Sequence, residues 1–190
     1  MALARHQGVE VLEELDALFA AGKEGYELRM MEAEAARNAR DDARARAALA
    51  AAVRADPTQV EPHHILATLH ARAHRDAERV LALQAVVRLD QHDRRSLAAL
   101  LDALVASRAW SDINALREHA TNLDPERVAT HLALAQAAQE TGARDAAIFE
   151  YESALAMEPA NAATIRERVE AVRRGQRGMA PIAAPVEARE

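Results

Sequence analysis

The chain has 190 residues, enough for one domain or an array of repeats; half are hydrophobic and only 3% aromatic. Alanine and leucine carry that apolar content, and six glycines with six prolines are too few for the frequent turns of an all-β protein, so helices packed on helices are expected. A formal charge of −6 argues against nucleic-acid binding, and the absence of cysteine removes disulfides, thiolate metal sites and Cys nucleophiles.

In chain order, residues 8–21 place Val11, Leu12, Leu15, Leu18 and Phe19 at helical spacing with acids between them, and Gly22 and Gly25 bracket the stop. Residues 1–23 are therefore predicted to form an amphipathic helix. The acids Glu10, Glu13, Glu14 and Asp16 interrupt what a secretory signal would need as an apolar stretch. No apolar run approaches the roughly 20 residues of a membrane helix. A cytoplasmic protein without membrane insertion is the expectation.

Beyond Gly25 the organising signal is periodic. Pro125 and Pro159 lie 34 residues apart (159 − 125), and Pro57 lies 68 residues before Pro125 (125 − 57). Each closes a similar context: "VRADP", "TNLDP" and "LAMEP". At the vacant midpoint the chain reads "VRLDQ", with Gln91 where the proline would stand. Four segments follow: 24–58, 59–92, 93–126 and 127–159. The last carries His131, Leu134, Ala135 and Ala138 on a first helix, Gly142 at the turn, and Ala147, Tyr151, Ala154 and Pro159 on a second. Earlier segments place His63, Leu66, Ala67 and His70, then Leu97, Leu100, Leu101 and Leu104, in the same first-helix slots, with Trp110 near the start of a second helix. The small residues allow two helices to cross closely, the aromatic wedges between hairpins, and proline closes the second helix.

This spacing and slot pattern resembles the tetratricopeptide repeat family, most closely over residues 60–159. The resemblance implies an all-α fold, an α-α superhelix (a right-handed solenoid of helix-turn-helix repeats) with flanking capping helices. The first segment is divergent. Its stripe of Tyr26, Leu28 and Met31 fits if the unit begins one residue early and residues 38–42 absorb the slip, since strict phase would bury Arg29 and Glu32. Its second helix regains phase through Ala45, Leu49, Ala52 and Pro57.

After Pro159, residues 160–175 read as a capping helix, with Asn161 as N-cap, Ile165, Val169 and Val172 inward, and Gly175 as the stop. Residues 176–190 carry Gly, Pro and small residues and form a flexible or extended tail. Its "APIAAPV" suits an extended conformation and could lie along a groove of its own or a neighbouring molecule.

Chemistry is sparse. His63, His70 and His74 share a helix face beside His64, yet two of them fill packing slots and nothing completes a four-ligand site. A histidine-dependent metal protein is a remote alternative. No phosphate-binding glycine loop or nucleophile motif occurs, and the charged run at 26–46 forms i,i+4 pairs on a solvated face. No enzyme, catalytic residue, metal or cofactor is expected.

In the family, first helices line a concave face. Carried onto this chain, the partner-binding candidates are Met30, Glu34 and Arg37, with Glu27; His64, Thr68 and Arg72, with Glu61; Arg95, Asp102 and Val105, with Ala98; and Leu132, Gln136 and Gln139, with Ala129. Some family members clamp a C-terminal carboxylate with Lys and Asn. Here His64 with Thr68, and Ala98 with Asp102, hold those places, so the clamp is absent. The expected function is a non-catalytic adaptor that takes a peptide or helix of another protein. The alternative is a repeat module of a larger secretion, envelope or peptidase-associated assembly, self-associating through the terminal helix or tail.

Overall fold

The structure, a computed structural model, describes residues 2–183. Among them are eleven α-helices and no strands. They are α1 (Ala2–Ala20), α2 (Tyr26–Ala39), α3 (Asp42–Ala55), α4 (Glu61–Arg72), α5 (Asp76–Leu89), α6 (Arg94–Ala106), α7 (Trp110–Ala115), α8 (Arg117–Leu123), α9 (Val128–Thr141), α10 (Arg144–Ala156) and α11 (Ala162–Arg173). The fold class is all-α, of the helical-repeat type, and the chain divides into two compact units, 1–91 and 92–190.

The repeat is visible in the backbone itself. Four residues at the ends of first helices adopt left-handed dihedrals: Arg40 (φ 64°), His74 (φ 53°), Arg108 (φ 56°) and Gly142 (φ 86°). Each is 34 positions after the last (74 − 40, 108 − 74, 142 − 108). The turn closes each time by one pattern, in which the amide after the left-handed residue returns to a carbonyl five residues back. These bonds are Asp41→Ala36, Arg75→His70, Ala109→Leu104 and Ala143→Ala138, at 2.8–2.9 Å. This is the Schellman closure, which satisfies carbonyls the helix leaves open. Asp41 caps the helix after the first of these turns and Asp93 caps α6, accepting from the amides of Arg44 and Ser96 at 2.9 Å.

In the first unit, α1 packs on α2, α2 on α3, and α3 on α4 around Leu12, Ala33, Ala36, Ala45, Leu49 and Leu69. Helix α1 runs through Gly8, the point at which it crosses α2. A Cβ there would meet the Ala35 carbonyl oxygen at 2.7 Å and the Ala39 nitrogen at 2.9 Å. Leu15 is 2% exposed, so this helix spends its apolar stripe on its own unit.

The predicted register slip in the first segment does not occur. Met31 is 51% exposed, while Glu32 is buried beside Ala33 and Ala36, as strict phase requires. What permits it is charge pairing. Glu32 accepts from Arg29 and Arg44, each at 3.0 Å, and Arg29 stacks over the Phe19 ring 4.0 Å from its centroid.

In the second unit, α9 packs against α10, α7, α6 and α8, and α10 packs against α11. The core joins Leu132, Ala135, Ala138, Ala147, Tyr151, Ala154, Ile165, Val169 and Val172. The second helix of the third segment is broken at Leu116 into α7 and α8, where a single helix was expected. Arg117, the first residue of α8, occupies the slot that Tyr151 fills 34 residues later (151 − 117). A guanidinium in a wedge position must reach partners, and it finds three: Glu150, the Asn114 side chain and the Leu134 carbonyl.

Candidate functional site

Helix α9 buries every residue from Ala129 to Gln139. Neighbouring helices cover most of it, and residues 176–183 cover the rest. These residues leave α11 at Gly175 (φ 76°) and run back over α9 and α11 with neither helix nor strand. They are held chiefly by the backbone. Gln139 Nε2 donates to the Gln176 carbonyl (2.9 Å), Gln136 Nε2 to that of Met179 (3.3 Å), Arg168 to that of Ala180 (2.7 Å) and Asn161 Nδ2 to that of Ala183 (2.8 Å). The Gly178 amide donates to the Glu140 carboxylate at 2.8 and 2.9 Å. Four carbonyls and one amide of the segment are thus held by side chains of this face.

Two side chains of the segment turn inward. Met179 and Ile182 are half-buried while the residues around them stay exposed, a spacing of three that matches one turn of polyproline II. Ile182 packs on the core of the second unit and, with Pro181 and Ala183, closes a cleft of about 200 Å³ lined by Asp102, Val105, Ala129, Leu132, Ala133 and Gln136.

Tyr151 supports this face from beneath. It is fully buried, its hydroxyl donates to Gln139 Oε1 at 3.0 Å, and the Arg168 charge lies beside it. Burial pushes its phenol up to about 12. The wedge residue of the repeat thereby orients the amide that grips Gln176.

A second polar group lies in the hairpin seam. His131 Nδ1 bonds Glu150 Oε2 at 2.7 Å and its Nε2 bonds the Pro125 carbonyl at 2.9 Å. Both partners are acceptors, so the ring meets them fully only as an imidazolium. Its pKa is raised, chiefly by the bond to Glu150 and against the pull of burial. Glu150 is 2% exposed and also holds Arg117.

The first unit brings Arg37, His64, Thr68 and Arg72 together around a cleft of about 150 Å³ with Ile65 and Leu69. Met30 lies against the core, and Glu34 is exposed. The three histidines of the predicted face have unlike settings: His63 is buried, His70 half-buried with Nδ1 unpartnered, and His74 exposed in its left-handed turn. Among the described residues no group of three or more His, Cys, Asp or Glu could hold a metal ion.

Of the other candidates, Asp102, Val105, Leu132 and Gln136 meet at the cleft under Ile182, and Gln139 lies further along the same face. Arg95 with Ala98 borders a separate hollow near Asp124 and Glu126. Leu132, Gln136 and Gln139 are each under 5% exposed, so they are not open to a free partner as expected; the chain's own tail lies over them. Sequence reasoning passed over Glu140, Asn161 and Arg168. Asn161 stands at the N-cap of α11 but makes no capping bond, and its Nδ2 donates to the Ala183 carbonyl. Among the described residues no helix is long and apolar enough to cross a membrane.

Fold and site together define a helical-repeat protein with one face covered by its own extended tail. Among solved structures it is similar to a crystal structure of MamA protein at 18% identity and TM-score 0.59, covering 79% of this chain and 81% of that one. A second crystal structure of MamA matches at 17% identity and TM-score 0.53, covering 77% and 86%. A third, MamA MSR-1 C2, matches at 15% and 0.52, covering 88% and 97%. At such identities the likeness is one of fold. No protein-family model matches the sequence, and no curated protein matches it.

Proposed function

We propose that the chain is a non-catalytic binding protein of the tetratricopeptide type, which takes an extended segment of another protein along α9 and α11. The observation that carries this is the set of bonds from Gln139, Gln136, Arg168 and Asn161 to four main-chain carbonyls, those of Gln176, Met179, Ala180 and Ala183. Donors fixed along α9 and α11 at a pitch that follows an extended chain recognise peptide as such, and the cleft beside Ile182, lined by Val105, Ala129 and Leu132 with Asp102 and Gln136, adds selectivity. The acidic balance of the chain supports a protein partner over a nucleic acid. The 34-residue recurrence of the left-handed turn supports the repeat type.

The test is a peptide array probed with a chain shortened to residue 175, alone and carrying Gln139→Ala or Arg168→Ala. The shortened chain should keep its helical signal and bind extended peptides. Each substitution should weaken binding by about five- to tenfold, the worth of one hydrogen bond from a neutral or charged donor. Binding that survives both substitutions would move the interface off this face.

A further inference from the structure

The tail states what this face accepts. Met179 and Ile182 are the half-buried side chains of the tail, and Ile182 packs on the core of the second unit and lines the cleft with Leu132 and Asp102, with a proline before it and an alanine after it. The chain spells that element twice: Ala180-Pro181-Ile182 and Ala184-Pro185-Val186. Proline fixes the extended conformation before binding, so less ordering entropy is lost. Alanine lets the backbone approach the helices, and a β-branched residue packs at the cleft wall without many rotamers to lose. The fit is incomplete. Arg168 Nη1 and Asn161 Oδ1 are buried with no hydrogen-bond partner, so the tail uses one of the two polar ends that each of these side chains offers.

Resting on the binding function proposed above, we infer that the face is specific for an extended Ala-Pro-(Ile/Val) segment of a partner protein, and that residues 176–183 are a tethered copy of that ligand which the partner displaces. A tether of two or three residues from α11 gives the tail an effective concentration in the millimolar range, well above what a second copy's tail reaches at ordinary protein concentrations. A second copy is therefore a poor occupant. A partner succeeds where its concentration and affinity together exceed those of the tethered tail.

The experiment uses a fluorescent peptide of the sequence GMAPIAAPV and polarisation against three forms of the chain: wild type, Ile182→Asp in the full chain, and the chain ending at residue 175. Circular dichroism verifies the helices in each. The Ile182→Asp chain and the shortened chain should both bind the peptide at least about tenfold more tightly than wild type, because the tethered competitor is lost. A peptide with aspartate in place of its isoleucine should not bind, and Gln136→Ala added to Ile182→Asp should weaken binding several-fold. Equal affinity in all three forms would refute tethered competition. Equal binding of a scrambled peptide would overturn the Ala-Pro-(Ile/Val) specificity while leaving a peptide-binding face standing. No binding of any peptide by well-folded open forms would remove both readings. A wild-type dimer that Ile182→Asp converts to monomer would show the tail seated on a second copy and would overturn the tethered arrangement.

Discussion

Three of the four left-handed turns are built from residues that resist that conformation, and relieving them tests the repeat geometry directly. His74 and Arg108 are exposed, at φ 53° and 56°, in the turns that Gly142 makes at φ 86°. The left-handed region costs an L-residue about 1–2 kcal/mol, because Cβ crowds the following carbonyl oxygen. Glycine removes that cost but adds about 0.5–1 kcal/mol of backbone entropy lost on folding. The net expectation for His74→Gly or Arg108→Gly is a gain of about 0.5–1 kcal/mol in the unit that carries it. For units of this size that is a rise of about 2–8 °C in its melting temperature. Gly142→Ala should lose about the same amount; the added Cβ meets only the flexible end of Arg177, so strain in φ dominates. Urea melts followed by circular dichroism give the sign, and hydrogen exchange at Arg75 and Ala109, whose amides close the turns, locates the effect. A loss of about 1 kcal/mol for His74→Gly, the usual effect of glycine inside a helix, would refute the left-handed geometry at that turn.

The two units should respond to pH in opposite senses. His131 has a raised folded pKa, so its contribution is complete below the unfolded value of about 6.5 and is lost as pH rises through the folded value. Burial lowers the folded pKa of both His63 and His70, so what they contribute is present above about 6.5 and is lost as pH falls through their folded values. Melts of wild type and His131→Gln between pH 5 and 9 check this, and a wild-type second unit that stabilises with rising pH would contradict it. Replacing Arg117 by leucine should destabilise the second unit by about 2 kcal/mol, discounted for the partial exposure of that side chain, because buried Glu150 loses a partner. Adding Glu150→Leu should recover much of the loss in denaturant melts, whereas additive losses would mean the pair is not coupled.

The 34-residue period was legible because proline spacing and small-residue slots are local signals that survive divergence. The left-handed turns at Arg40, His74 and Arg108 were not, since only glycine announces such a backbone and only Gly142 is one. Glu32 misled, and the role of Arg117 went unread, for a related reason. A charge in a core slot is tolerated only with a partner, and those partners, Arg44 and Glu150, lie 12 and 33 residues away. Four of the first unit's groove candidates, Arg37, His64, Thr68 and Arg72, did meet at one cleft, because helix periodicity fixes which residues share a face. The face in the second unit was only half legible. Leu132, Gln136 and Gln139 followed from the repeat register, whereas Arg168 and Asn161 sit on a helix outside it and read as surface and cap.

The charged residues set into core slots also govern which hairpin stacks on which. Identical repeats present interchangeable seams, and during folding any hairpin could settle on the wrong neighbour, the failure typical of repeat chains. Glu150 finds Arg117 and His131 in only one arrangement. Set against Leu49 or Leu83, which hold the Arg117 slot in the earlier segments, it would be buried with no partner. Misordered stacks thus carry a desolvated carboxylate, and the native order is the one in which that carboxylate is neutralised.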